Sequence, residues 1–254
     1  MRFHIQDPTY GNTQPLRETI LNNCSGMKAG GGAYAFATSE GVNFLLGEDS
    51  FRSFISEGDF FLIVGTDDIT NVRALETLKD YEDEFSGKLK VRVYIHDAIG
   101  SIFHPKYSWL QSRTSGGKLI IGSGNMTKRG MKNNREAYAV IDLDDEQLEQ
   151  VKREWNSWVN HSGQYLYSLD EAIEIMSRRE KSFMGKLVQA IKKAIGIGYR
   201  YNDAMVSEKH CGFIVNVGDA KCSDVVAVIE HVQEVVFEKF NVKLEPEVRI
   251  IGGK

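Results

Sequence analysis

The segment that most limits the fold is Phe60-Phe61-Leu62-Ile63-Val64-Gly65, a short continuous apolar run. Runs of this kind read as strands buried on both faces, as in sheets covered by helices on each side. The flanking sequence agrees. Val72, Leu75, Leu78 and Tyr81 recur on one side of a predicted helix, and Lys90 to His96 follows as a further strand. Upstream, Arg2 to Asp7 reads as a strand, Gln14 to Asn23 as a helix and Ala33 to Thr38 as a strand, with Gly30 to Gly32 as a turn before it. Downstream, Glu136 to Leu143 reads as a strand. Asp144 to Asn160 follows as a helix with an acidic start and Leu148, Val151, Trp155 and Trp158 on its inner side. The expected fold class is α/β, one mixed sheet with helices on both faces.

The chemistry-bearing residues cluster between His104 and Glu136. His104 and Lys106 stand two apart on a predicted strand, so the pleat places both on one face. A second predicted strand, Lys118 to Asn125, carries Ser123 and Asn125 at its end; with Thr114 to Gly117 as a hairpin turn, it runs antiparallel to the first and brings these groups together. From Ala98 to Arg135 no acidic residue occurs, whereas Lys106, Arg113, Lys118, Lys128, Arg129, Lys132 and Arg135 are basic. Such a stretch reads as a solvated basic loop or as a surface that steers a phosphodiester.

Residues 1–165 resemble the phospholipase D superfamily through His-Pro-Lys (104–106), Gly-Ser-Gly-Asn-Met-Thr (122–127), Gly130, Asn134 and Glu136. The order is most similar to that of metal-independent nucleases and restriction endonucleases of the superfamily. The resemblance implies that His104 attacks phosphorus, that Lys106 and Asn125 hold the non-bridging oxygens and that Ser123 supports them. The superfamily's aspartate, five residues after the lysine, is replaced by Gln111, and Glu136 is the candidate substitute carboxylate. Flanking this motif, Lys118, Thr127, Lys128 and Arg129 are the candidate substrate-binding residues. Only one half-site is present, so a homodimer sharing one active site is implied, with nucleic acid as the substrate and no metal or cofactor.

From about Lys193 onward the sequence is similar to the C-terminal end of UDP-N-acetylenolpyruvoylglucosamine reductase, through Ser-Glu-Lys-His-Cys-Gly-Phe-Ile-Val-Asn (207–216) and Leu-Glu-Pro-Glu-Val-Arg-Ile-Ile-Gly (244–252). The resemblance implies a protonating role for Glu247, but the partner serine segment and the flavin-binding glycine loop of that family are not found in the sequence. A hydride-transfer site needs the flavin as its donor, so this tail alone is not expected to reduce anything. It reads as a strand around Gly212 to Gly218, a helix with Val225, Val228, Ile229, Val232, Val236 and Phe240 facing inward, and a strand at Glu247 to Ile251. The expected organisation is therefore a catalytic domain at 1–165, a helical linker at 166–192 whose helix begins at Ser168 with Glu171 three residues on, and a small α+β piece at 193–254.

Composition excludes little. With 42% hydrophobic and 26% charged residues and no apolar run of membrane-spanning length, a soluble cytoplasmic protein is expected. Cys24, Cys211 and Cys222 have no metal-ligand or disulfide spacing. Two rival functions remain open at this stage: a nucleic-acid-binding module that has lost turnover, and a peptidoglycan-precursor reductase fragment defined by the tail.

Overall fold

The computed structural model describes residues 1–66, 69–96, 101–181, 198–208, 213–240 and 243–246. The chain divides into two compact units, Met1–Ser177 and Arg178–Lys254. The first is built on an eight-stranded mixed sheet in the order β1-β7-β6-β5-β2-β3-β4-β8. Its strands are β1 Arg2–Gln6, β2 Met27–Tyr34, β3 Asp59–Gly65, β4 Leu89–Tyr94, β5 Lys106–Ser112, β6 Gly117–Gly122, β7 Glu136–Leu143 and β8 Leu166–Tyr167. The helices are α1 Leu16–Asn22, α2 Ser39–Leu46, α3 Asp49–Glu57, α4 Val72–Glu84, α5 Asp145–His161 and α6 Leu169–Lys181.

Strand β3 lies where the apolar run demands, paired in parallel with both β2 and β4. Parallel neighbours need crossover connections, which α2, α3 and α4 supply. Alternation along β3 then divides the core: Leu62 and Val64 pack among α1, α2, α3, α4 and α6, and Ile63 packs on the opposite face with Trp109, Leu148 and Trp155. Each large side chain buried in this way contributes about 1.5–3 kcal/mol. Helices therefore cover both faces, α5 being the helix on the second among the described residues. The cap of α5 is reciprocal: Asp144 Oδ1 accepts from Gln147 N at 2.8 Å, and Gln147 Oε1 accepts from Asp144 N at 3.1 Å.

Three expectations change. Gly30 to Gly32 form no turn but the middle of β2. A Cβ on Gly31 would lie 2.7 Å from Trp109 Nε1, and one on Gly32 2.8 Å from Ser108 Oγ, so the run gives room to side chains from β5. The first unit also extends past residue 165. Strand β8 pairs with β4, and α6 buries Leu169 and Ala172 in the core, starting at Ser168 as its reciprocal contacts with Glu171 dictate. Finally, β5 begins at Lys106, so His104 sits on the segment entering the strand.

In the second unit, β9 Arg200–Tyr201, β10 Ala204–Val206 and β11 Ile214–Asn216 form a small antiparallel sheet, followed by α7, Cys222–Phe240. Ala204, Val206, Val228 and Val236 make its core, with Val225, Val232 and Phe240 against them. The strand expected through Gly218 ends at Asn216 because Asn216 Oδ1 accepts from Gly218 N at 2.9 Å and Ala220 N at 3.1 Å, turning the backbone away. The strand expected at Glu247 to Ile251, and Glu247 itself, lie outside the described residues. Among the described residues no helix is long and apolar enough to cross a membrane.

Candidate active site

The β5–β6 hairpin turns at Gly116, whose φ of +61° suits glycine. Its register pairs Tyr107 with Ile121, and the β6–β7 register pairs Gly122 with Tyr138. The start of β5, the end of β6 and the start of β7 therefore meet at one edge of the sheet. Lys106, Ser123 and Glu136 are brought together there. The Ser123 hydroxyl donates to Glu136 Oε2, Asn134 Nδ2 donates to Glu136 Oε1 at 3.1 Å, and Ala137 N donates to Ser123 Oγ at 3.2 Å. Asn125 Oδ1 accepts from Phe36 N at 3.2 Å, just beyond β2, which fixes the amide and leaves its N–H groups to donate elsewhere. The Phe36 ring meets the His104 imidazole edge-on at 6.0 Å. Lys106 Nζ donates to His104 O at 3.0 Å.

Close backbone contact holds these parts in place. A Cβ on Gly124 would sit 2.8 Å from Gly130 O, and one on Gly130 would sit 2.7 Å from Asn125 N. The turn carrying Ser123 and Asn125 thus packs against the π-helical turn Arg129–Asn133, which only glycine at both points permits.

Gln6 is the residue that sequence reasoning missed. Wholly buried at the end of β1, it donates to Gly130 O at 3.1 Å and Asn134 O at 2.9 Å and accepts from Leu16 N at 2.9 Å. It fastens the turn leading to Glu136 to β1 and α1. The sequence pointed the other way: alternation with apolar Phe3 and Ile5 would turn His4 and Gln6 to solvent, yet Phe3 and Ile5 are the exposed pair.

Partial burial and the Lys106 ammonium both lower the His104 pKa from the ordinary 6.5. Burial likewise lowers that of Lys106, with Glu136 opposing. Glu136 gives its two oxygens to Ser123 and Asn134, so it steadies the serine and balances the lysine rather than gripping the imidazole. His104 is thus an exposed imidazole that is mostly neutral at pH 7. In an NMR titration its C2 proton should show a midpoint below 6.5 that rises in Lys106→Met yet stays below 6.5, since the burial remains. A midpoint above 6.5 in the parent would contradict this environment.

The acid-free flank does not fold into a free basic surface. Arg113 pairs with Glu57 at 2.8 Å, Lys128 with Glu40 at 2.7 Å, Lys132 with Glu18 at 4.0 Å and Arg135 with Asp7 at 3.0 Å. Carboxylates distant in sequence were folded against it. Lys118 is at the far end of β6 from Ser123, paired with Asp142 at 2.5 Å, and is no part of the site. Thr127 Oγ1 accepts from Gly130 N at 3.0 Å and has a structural task. Of the candidate substrate-binding residues, Arg129 alone is exposed with no ion pair among the described residues. The pairs are exposed and weak, about 0–1 kcal/mol each, so a polyanion can compete for their cations.

Residues 96–251 match the family model "UDP-N-acetylenolpyruvoylglucosamine reductase, C-terminal domain". The chain belongs to this reductase C-terminal domain family. The reductase of Lachnoclostridium phytofermentans is 53% identical over 77 residues, covering 30% of this chain and 24% of that protein. The chain thus spans about a quarter of the length of the curated reductases it matches. Among solved structures, Nuc, a phospholipase D family member from Salmonella typhimurium, aligns with 66% of this chain and 97% of its own at TM-score 0.46 and 14% identity. Phosphatidylserine synthase from Haemophilus influenzae Rd KW20 aligns with 73% and 46%, at TM-score 0.48 and 16% identity.

Proposed function

We propose that the first unit is a phosphodiesterase, acting on nucleic acid through a phosphohistidine and needing no metal ion. The observation that carries this reading is the meeting of His104, Lys106, Ser123, Asn125 and Glu136 at one sheet edge, with the imidazole neutral and exposed. A ring nitrogen of His104 attacks phosphorus; the bond to the leaving oxygen breaks as the new P–N bond forms. The Lys106 ammonium and the Asn125 amide N–H donate to the non-bridging oxygens as charge accumulates there. Ser123, held by Glu136, supports that pocket. Arg129, exposed on the turn after Asn125, would meet the flanking phosphate, with Lys128 available once it leaves Glu40.

The leaving alkoxide needs a proton, and the phosphohistidine needs an activated water. His104 of a second copy supplies both, provided that the facing pair enters the reaction holding one proton between them: the protonated imidazole gives up that proton in the first step and takes one from water in the second. A two-fold axis past the sheet edge allows this. Plasmid and single-stranded DNA should be cleaved in the presence of EDTA, and mixed dimers of wild-type and His104→Ala chains should be nearly inert. A monomer active at every dilution would instead point to His96, which lines the same cleft as His104. Tight binding without cleavage would favour the rival binding module.

The family match supports a second reading, in which residues of the second unit serve a flavin-dependent reductase whose remaining parts lie in other sequence. A yellow purified protein, or thermal stabilisation by the UDP-sugar substrate of that family, tests it.

A further inference from the structure

The site opens into a cleft of about 780 Å³, within the usual range for small-ligand sites, which has His104 on its wall and an aromatic lining that the phosphoryl chemistry does not use. Tyr94, Phe103 and Trp158 form one side with nearly parallel rings. The Tyr94–Phe103 centroids are 4.4 Å apart, the Phe103–Trp158 centroids 6.0 Å and the Tyr94–Trp158 centroids 6.3 Å, each pair at 14°. Trp158, expected from its spacing to be core, lines this cleft, whereas Trp155 is buried. Tyr165 lies 5.7 Å from Tyr94 and is 37% exposed. Burial pushes the Tyr107 phenol up to about 12, so it stays protonated and can donate. Gln164, exposed at the rim, offers both a donor and an acceptor. Among the described lining residues there is no Lys, Arg, Asp or Glu.

From this arrangement we infer that the cleft is a stacking subsite for one unpaired nucleobase next to the scissile phosphate, which makes single-stranded nucleic acid the preferred substrate. The inference rests on the phosphodiesterase reading for its placement, since the phosphate lies at His104. Tyr94 and Phe103 cover each other's faces at 4.4 Å, so the ring left to meet a flat neutral base is the exposed Tyr165 beside them, and every base has a face to offer it. An aromatic cage for a quaternary ammonium requires rings set around the cation, but three of these planes are parallel. A phosphate would find no Lys or Arg among the described lining residues. Bases in a duplex are stacked on each other, so the subsite favours a single strand, and in a supercoiled plasmid the transiently unpaired stretches, over a regular double helix.

Fluorescence anisotropy tests this with labelled oligothymidylate, oligouridylate and an abasic oligonucleotide of equal length. The wild-type protein should bind either base-bearing strand about tenfold more tightly than the abasic one, and that difference should collapse in Tyr165→Ala. Comparing oligothymidylate with oligouridylate separates DNA from RNA as the source of the base. Equal affinity for all three ligands, or a base preference that survives in Tyr165→Ala when its melting temperature matches the parent, would overturn the subsite. So would quenching of tryptophan fluorescence by choline or phosphatidylcholine vesicles without any base preference. The two readings fail separately. A base preference lost in Tyr165→Ala with no cleavage of any strand upholds the subsite and rejects the phosphodiesterase, whereas equal binding and cleavage of abasic and base-bearing strands does the reverse.

Discussion

Replacing His104 with alanine should lower phosphodiester cleavage by about 10⁴-fold or more, because removal of a nucleophile deletes the covalent route rather than weakening it. Folding should be untouched. His104 is exposed, and its ring meets Phe36 edge-on at 6.0 Å; Lys106 bonds its backbone oxygen, which alanine keeps. Melting temperature and circular dichroism should therefore match the parent while single-turnover cleavage disappears, along with the acid-labile, base-stable adduct that distinguishes a trapped phosphohistidine from an acid-stable phosphoester. Cleavage by the alanine variant at the parent rate would remove His104 from the mechanism. Loss of activity accompanied by loss of fold would mean that the residue is structural and that the site lies elsewhere.

Gln6→Leu should have the largest effect on stability of any change near the site that touches no substrate. It leaves the Gly130 and Asn134 carbonyls and the Leu16 N–H without their partner in a buried place, at a cost on the order of 3 kcal/mol. For a unit of this size the melting temperature should fall by roughly 6–12 °C. Activity should fall too, because the freed turn carries Asn134, whose amide bonds Glu136 at 3.1 Å and so steadies Ser123. Urea unfolding of the first unit's tryptophan signal measures the first effect. A change below about 1 kcal/mol would show that water or neighbouring groups replace the glutamine with little loss.

Much of the first unit could be read from the chain because local chemistry agrees with the final environment. The run at Phe60 to Gly65 has one stable use, as a strand between helical layers, and it takes that place in β3. Glu136–Leu143 alternates and becomes β7; Asp144 and Gln147 cap α5 from positions three apart. The hairpin that brings Lys106 toward Ser123 is equally local, set by a glycine at its turn. Gly30 to Gly32 misled because glycine is as consistent with a turn as with a strand crowded by Trp109, and nothing in the neighbouring sequence reveals that indole.

Sequence by itself singled out the groups proposed for phosphoryl chemistry, His104, Lys106, Ser123, Asn125 and Glu136, because residue type and short spacing carry that information. Tertiary structure alone decided how they are held and what surrounds them. Gln6 joins β1 to a turn more than a hundred residues away, Glu40 and Glu18 neutralise cations that seemed free, and Lys118 is carried to the wrong end of its strand. Tyr94, Phe103 and Trp158 become one wall only when β4, the approach to β5 and α5 converge. The physical reason is common to all of these: hydrogen bonds, ion pairs and ring contacts act over a few ångströms in space, while sequence records separation along the chain, and folding sets the two against each other wherever a sheet pairs distant strands.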